Sequence, residues 1–346
     1  MFKSFVLFRA MAALVFGLAL ATVSQAEASY SNIFAFSDSL SDTGNDLIIT
    51  GKAVPVPGVY TDGAGTTGRF TNGKTYLDVL ANSLGLSLTP SVTGGNNYAY
   101  GGARTDYVNP GLPDSAKSFN KQVSAYTALG SADPNALYVL WIGANDMSDA
   151  VRDIALFGAP QTLVGSKIAT AMSGIGNAIA SLSALGAKHF LVPNLPDLSL
   201  VPAFSRFGDP GLDFLANFAS VAFNKQLNTT LGLFGGALDI RQLNVFAALN
   251  DIVADPASFG FTNATDSCYT GEVDGKPRTG GPAVPTVCAK PNDYVFFDYE
   301  HPTAAVHAQL GAIAYAIAVP EPSAIWLLVF ALGGLTTWAR RRSPAA

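Results

Sequence analysis

Short apolar runs rich in β-branched and aromatic residues alternate along the chain with longer segments of helical pattern. Parallel strands need crossover connections, and helices on both faces of a sheet shield apolar strands from water. The alternation therefore predicts an α/β fold, a three-layer α/β/α sandwich with a central, mainly parallel sheet. The predicted strands lie near Ile33–Phe36, Ala136–Ile142, His189–Val192 and Leu238–Leu243, and the predicted helices near Tyr76–Leu84, Leu163–Leu185, Leu212–Leu231 and Ala304–Ala318.

Composition narrows the classes of function. With 346 residues, 49% hydrophobic and 13% charged, the chain is long enough for one large α/β domain or two smaller ones. Its net charge of −5 and the lack of a basic cluster between the termini argue against nucleic acid as a partner.

The N-terminus has the three parts of a secretory signal peptide. Lys3 and Arg9 are followed by an apolar run from Met11 to Val23 and by a small-residue pattern that ends at Ala26 or Ala28. The run is short for a membrane crossing and has a cleavage-like end. We therefore expect a signal peptide over residues 1–26, removal by signal peptidase, and an exported body over residues 30–318.

The chain has two cysteines, Cys268 and Cys288. In an exported protein they are expected to pair as a disulfide, and closing a loop of this size contributes roughly 3 kcal/mol in the chain-entropy model. The alternative, a reactive thiol, has no helper residue nearby in the sequence. The Gly/Pro-rich stretch from Thr262 to Pro291 is predicted to be a long loop that the bridge ties down.

The last residues, 319–346, form a second targeting segment. A Pro320, Glu321, Pro322 motif precedes an apolar run from Ala324 to Ala339 and then three arginines. As a helix the run rises about 24 Å, marginal for a full span, and the arginines favour a cytoplasmic end. A buried terminal helix is the alternative, but the segment has no amphipathic face.

The order of these three parts resembles the PEP-CTERM sorting signal of Gram-negative bacteria. That resemblance implies a short transmembrane helix, transient anchoring in the inner membrane, cleavage by an exosortase, and a final place at the cell surface or outside the cell. A plain membrane anchor stays open as the other reading.

Polar residues follow four of the apolar runs. Ligands of open α/β sheets bind beyond the carboxyl ends of the strands, so these residues are the ones to read. Each has a structural explanation of its own, since glycines make turns and Asn or Thr can cap helices. Together they supply what acyl transfer needs: a nucleophile, a base, an orienting anion and N–H donors for an oxyanion. The candidates are Ser39 as nucleophile, His301 as base, Asp298 as orienting carboxylate, and the N–H groups of Ser39, Gly101 and the Asn145 side chain as donors.

Histidine is scarce enough to narrow the choice of base. His189 begins a predicted strand, and His307 lies within the last predicted helix, off the face of His301. No two of the three histidines have the usual spacing of a helical metal site, and no paired acidic ligands accompany them. We expect His301 to be the base and neither a metal nor an organic cofactor to be required.

The same four segments, "FSDSLSDTGN", "NNYAYGGA", "WIGAND" and "FFDYEHPT", resemble the sequence blocks of the GDSL, or SGNH, hydrolases and occur in that family's order from Phe36 to Thr303. The resemblance implies a flavodoxin-like fold and a secreted esterase or lipase that acts on a lipid, a simple ester or an acylated polysaccharide. It implies the triad Ser39, His301 and Asp298 and the oxyanion hole Ser39, Gly101 and Asn145.

The chain departs from the family pattern at one position, and the resemblance leaves one oxyanion donor open. Ser37 stands where the family has glycine, and a serine at positive φ would be strained by roughly 1 kcal/mol or more. The choice between Gly101 and Gly102 as oxyanion donor also stays open, although alignment with the family favours Gly101.

Three other readings compete. Gly68–Thr75 fits the phosphate-loop pattern, but a turn-rich segment precedes it instead of a strand, so we expect a loop near the rim of the site. The second reading is an α/β-hydrolase fold, which requires a G-x-S-x-G motif; the chain lacks this motif, so we do not expect that fold. A catalytically silent surface or matrix binding protein on the same scaffold stays possible from the sequence.

Overall fold

The structure is a computed structural model that describes residues 30–319 except 66, 109–112, 114 and 115. The predicted signal peptide, the Pro320–Pro322 motif and the apolar run after it lie outside the described residues and stay predictions. Within the described part of the chain, no helix has both the length and the apolar character that a membrane crossing requires.

The central sheet contains four parallel strands in the order β1-β2-β3-β4. The middle strand β2 is buried at every position, so both faces of the sheet are covered. The predicted parallel sheet is thus confirmed, with strand ends shifted by about one residue. The strands are β1 (Ile33–Ser37), β2 (Leu137–Trp141), β3 (His189–Pro193) and β4 (Asp239–Leu243).

Helices cover the two faces of this sheet. The helices are α1 (Asn45–Ile49), α2 (Tyr76–Ser83), α3 (Phe119–Thr127), α4 (Ala144–Phe157), α5 (Thr162–Ala184), α6 (Pro202–Ser205), α7 (Pro210–Gly232), α8 (Val245–Ala254) and α9 (Ala304–Ala318). Helix α9 packs on α2, whereas α3, α4, α5 and α7 form a second group.

Two aromatic side chains of β2 show that these groups lie on opposite faces. The Tyr138 ring contacts Tyr126 of α3, and the Trp141 ring contacts Tyr76 of α2. Residues three apart on a strand point to opposite faces. The chain therefore has the predicted three-layer arrangement.

The run Asn97–Tyr100 lies along the outer edge of β1. The Tyr98 N–H donates to the Ala35 carbonyl at 2.8 Å, and the Tyr100 N–H donates to the Ser37 carbonyl at 3.3 Å. These bonds bring the glycines that follow Tyr100 to the carboxyl end of β1, beside the segment that carries Ser39.

The apolar run that precedes Asp298 does not join the central sheet. It forms β6 (Tyr294–Phe296), which pairs in parallel with β5 (Asn263–Ser267) in a separate two-stranded sheet. The prediction of a long loop over Thr262–Pro291 is wrong at β5, whose residues are mostly polar and partly exposed and so give no apolar pattern.

The Cys268–Cys288 disulfide is present, with the two Cα atoms 4.8 Å apart. It lies in a small apolar cluster with Tyr60, Tyr269 and Phe297, separate from the main core. Because Phe297 precedes the Asp298–His301 loop, the disulfide secures the segment that carries two of the candidate residues.

Candidate active site

Three predicted residues meet at the carboxyl end of the sheet. Ser39 Oγ lies 2.8 Å from His301 Nε2, although the two residues are 262 positions apart. On the other side of the imidazole, Nδ1 lies 2.7 Å from Asp298 Oδ2 and 2.9 Å from Oδ1. All three side chains are largely buried, at 8%, 4% and 3% exposure. This geometry joins a hydroxyl, an imidazole and a carboxylate in one line of hydrogen bonds.

A tight turn sets the position of the imidazole. Asp298 Oδ1 accepts hydrogen bonds from the backbone N–H groups of Glu300 at 2.8 Å and His301 at 2.7 Å. Aspartate side chains commonly close turns in this way. The spacing Asp-x-x-His therefore folds the carboxylate back under the ring that it contacts.

Electrostatics favour a proton on this imidazole. Burial disfavours the charged ring, but the charge and hydrogen bond of Asp298, followed by the charges of Glu300 and Asp38, outweigh it and raise the pKa of His301 above its usual value. The ring can thus hold a proton that it takes from Ser39.

Gly68–Thr75 supports this loop and is not a phosphate cradle. The Phe70 ring lies 5.4 Å from the imidazole of His301. The Thr71 hydroxyl donates to the Pro302 carbonyl at 2.9 Å. Asn72 Oδ1 accepts the first N–H of α9 at 2.8 Å. Among the described residues no strand precedes the segment, which lies as a loop at the rim of the site, as expected.

Two N–H groups of residues that line the site have a hydrogen without an acceptor among the described residues. Within the described residues, the Ser39 N–H has no acceptor. Asn145 lines the same space as Ser39, and its Nδ2 donates one hydrogen to the Ala103 carbonyl at 3.0 Å. The second amide hydrogen of Asn145 is then available for a ligand.

The glycine position differs from the expectation. The Gly101 N–H donates to Asp42 Oδ2 at 3.1 Å, so it is not directed at a substrate. A Cβ at Gly101 would lie 2.2 Å from the Phe70 ring, so this glycine is required by close packing. Gly102 has φ +67°, and no acceptor for its N–H exists among the described residues.

Buried carboxylates hold the turn after Ser39. Asp42 accepts the backbone N–H groups of Gly44, Asn45 and Asp46 as well as that of Gly101. Burial raises the pKa of Asp42 to about 6. Burial and the charge of Asp42 raise the pKa of Asp46 well above its usual value. Asp42 thus braces the turn that follows Ser39.

Ser37 causes no backbone strain. It ends β1 in extended conformation, and Lys52 is the one non-glycine residue with positive φ in the described part of the chain. Its backbone exchanges two 2.8 Å hydrogen bonds with the side-chain amide of Gln122, and its hydroxyl accepts from Ser41 at 2.8 Å. The serine is built into the local hydrogen-bond network.

Two spaces of different character meet at Ser39. The first, which we call the apolar pocket, lies between α8 and α9; the second, the polar cleft, opens toward the disulfide loop. Asn145 and His301 line both. The apolar pocket is walled by Phe204, Val245, Leu249, Ile252, Val306 and Leu310, and the polar cleft by Asp46, Arg104, Arg152, Glu272, Arg278 and Glu300.

One residue at the site gives no sequence signal. The Tyr60 hydroxyl donates to Asp298 Oδ2 at 2.6 Å across 238 positions. Tyr60 lies in a turn-rich segment outside the four blocks, and no local pattern marks it. Only the folded chain reveals that it contacts the carboxylate.

Comparison with known proteins gives a consistent family assignment. The model of the family described as GDSL-like Lipase/Acylhydrolase matches residues 33–313. Lipase 1 of Photorhabdus luminescens is 36% identical over 195 residues, which cover 55% of this chain and 26% of that protein. Esterase EstA of Pseudomonas aeruginosa is 31% identical over 327 residues, covering 82% of this chain and 46% of that protein. The chain thus spans less than half the length of either relative.

A GDSL esterase/lipase of Arabidopsis thaliana matches over a larger share of its length, with 29% identity over 322 residues, 79% of this chain and 83% of the plant protein. Among solved structures, a lipase from a goat rumen metagenome has a TM-score of 0.44 at 11% identity and covers 83% of this chain and 97% of its own. Phospholipase A1 from Streptomyces albidoflavus has a TM-score of 0.39 at 15% identity, covering 83% and 98%. Because both scores are low, the fold assignment rests on the strand order itself.

Proposed function

The chain belongs to the GDSL-like lipase/acylhydrolase family of ester hydrolases, and from that premise we propose that it is a serine esterase with Ser39 as nucleophile, His301 as base and Asp298 as orienting carboxylate. The observation that carries the proposal is the line of hydrogen bonds of 2.8 and 2.7 Å from Ser39 through His301 to Asp298. A neutral imidazole in that position removes the serine proton, and the carboxylate stabilises the resulting cation.

The proposed reaction has two steps. Ser39 Oγ attacks the ester carbonyl as its proton moves to His301 Nε2, and the alcohol takes that proton as it leaves. Water then gives a proton to Nε2 and attacks the acyl-enzyme, and the proton returns to Ser39 as the acid leaves. His301 ends the cycle neutral.

Three N–H groups are proposed to stabilise the oxyanion of the tetrahedral intermediates. They are the backbone N–H groups of Ser39 and Gly102 and the second amide hydrogen of Asn145. Gly102 replaces Gly101 in this role because the Gly101 N–H is bonded to Asp42. Fixed donors of this kind stabilise charge that develops only during the reaction, and each contributes about 100-fold or more in kcat.

The two spaces at Ser39 suggest how a substrate divides. The apolar pocket suits a hydrocarbon acyl chain, since burying each methylene there contributes about 0.8 kcal/mol. The polar cleft suits an alcohol with hydroxyl or charged groups, whose hydrogen bonds its side chains can replace. We therefore propose that the substrate is an acyl ester of a polar alcohol, and we retain export to the cell surface as part of this proposal.

A panel of nitrophenyl esters of graded acyl length tests the proposal. We expect kcat/KM to rise from acetate to medium-chain esters and kcat to fall by about 10⁴-fold or more in Ser39→Ala. Ser124→Ala, which removes a hydroxyl bonded only to its own helix, is the control and should match the wild type.

Two results would contradict it. Full activity in Ser39→Ala would mean that another group is the nucleophile. A folded wild-type chain with no activity on any ester would favour the catalytically silent surface or matrix binding protein instead.

A further inference from the structure

A tyrosine from a distant loop shares the Asp298 carboxylate with His301. The Tyr60 hydroxyl donates to Oδ2 at 2.6 Å, and His301 Nδ1 lies 2.7 Å from the same oxygen. Tyr60 is fully buried. Burial and the charge of Asp298 raise the pKa of this hydroxyl well above its usual value, so it stays a donor.

We propose that Tyr60 is a positioning residue for ester hydrolysis, acting on His301 through Asp298; the inference rests on the proposed function above. The turn N–H groups of Glu300 and His301 hold only Oδ1. Among the described residues, Oδ2 accepts from two groups, the imidazole of His301 and the Tyr60 hydroxyl. The hydroxyl therefore fixes the rotation of the carboxylate that the imidazole follows.

The same hydrogen bond tunes the base. A donor to a carboxylate stabilises its negative charge and so weakens its attraction for a nearby imidazolium. Removing the Tyr60 hydroxyl would leave Asp298 a stronger partner for protonated His301. The pKa of His301 in the free enzyme would then rise, and the acid limb of the pH profile would move to higher pH.

The surroundings of Tyr60 fit a residue that must hold still. Its ring packs edge-to-face against the rings of Phe297 and Tyr269, with ring centroids 5.1 and 5.8 Å away. It also contacts Phe70 at 6.3 Å, the ring that lies on His301. The Cys268–Cys288 disulfide belongs to this cluster. Tyr60 thus connects the disulfide-closed loop to His301 and to Asp298.

Tyr60→Phe tests this role because it removes the hydroxyl and keeps the ring. We expect kcat to fall by about 10-fold, the size of a hydrogen bond to a charged group, with KM within about 2-fold and the acid limb of kcat/KM raised by about half a pH unit. Tyr269→Phe is the matched control, since its hydroxyl donates to the Glu272 carbonyl and not to Asp298. Tyr269→Phe should leave kcat and the acid limb of kcat/KM unchanged.

A second variant covers the case in which Tyr60→Phe does not fold. Replacing Tyr60 with 3-fluorotyrosine gives a more acidic phenol and a stronger donor, so the acid limb should move to lower pH, opposite to the Phe variant. The inference is overturned if neither variant moves the acid limb or kcat relative to its control. Because Ser39→Ala is measured in the same assay, loss of activity there with no effect at Tyr60 refutes this inference alone, whereas an active Ser39→Ala refutes the proposed function.

Discussion

His301 and His307 are six positions apart and equally hidden from solvent, with 4% and 1% exposure, yet their chemistry is opposite. His301 has Asp298 on Nδ1, and its pKa is raised. His307 Nδ1 accepts the backbone N–H of Tyr76 at 3.1 Å, and burial, aided by the charge of His301, lowers its pKa to about 3. Burial is common to both, so the partner on Nδ1 decides whether a ring exchanges protons or stays neutral.

Replacing each histidine with asparagine should give the largest difference in kcat between two variants. His301→Asn removes the base, and we expect kcat to fall by about 10⁴-fold or more. His307→Asn keeps an oxygen where Nδ1 accepts the Tyr76 N–H, so kcat should stay within about 3-fold of wild type. Both are measured on one nitrophenyl ester, with the melting temperature as a check on folding. Comparable activity losses in two folded variants would remove the distinction between the two rings.

Asn145→Ala separates oxyanion binding from proton transfer because Asn145 is proposed to act on the substrate and not on either imidazole. Loss of one oxyanion donor should lower kcat by about 100-fold while the acid limb of the pH profile stays in place. Asn250→Ala, which removes an amide bonded to the Phe246 carbonyl, is the matched control. An unchanged kcat in Asn145→Ala would remove Asn145 from the mechanism.

The contribution of His307 to acid stability should appear as the difference between the wild type and His307→Asn. In the unfolded chain His307 binds a proton below its usual pKa of 6.5, but in the folded chain only near 3. The unfolded state therefore binds more protons in this window, and stability falls as the pH falls. Between pH 7 and pH 5 this contributes about 2 kcal/mol of lost stability.

Urea unfolding at the two pH values checks this. His307→Asn should lose about 2 kcal/mol less stability than the wild type on acidification, because it lacks the titrating ring. An identical loss in both proteins would show that His307 is not the group that titrates.

Much of the site follows from sequence because each candidate residue comes directly after an apolar run. The central sheet brings the ends of β1 and β2 together, so the positions of Ser39 and Asn145 near one another could be anticipated. His301 follows β6, which lies in the separate two-stranded sheet, so the sheet order does not explain its place in the site. His189, predicted to begin a strand, does begin β3, and its Nδ1 lies 3.0 Å from Asp239 Oδ2.

The rest depends on contacts that no local pattern encodes. Asp42, which is 59 positions away, accepts the Gly101 N–H and so argues against Gly101 as the proposed oxyanion donor. Strand β5 forms from a polar segment because β6 pairs with it. Tyr60 reaches Asp298 only through the packing of the disulfide cluster.

Neutral His301 is proposed to activate Ser39, and the rate at which a fluorophosphonate labels the protein measures that activation. Mass spectrometry should find one phosphonyl group, on the peptide that contains Ser39. Because the pKa of His301 is raised above its usual 6.5, the labelling rate should reach half its maximum above pH 6.5, and it should collapse in His301→Asn but not in His307→Asn. Label on another residue would show that Ser39 is not the nucleophile, and an equal rate at Ser39 in His301→Asn would show that His301 does not activate it.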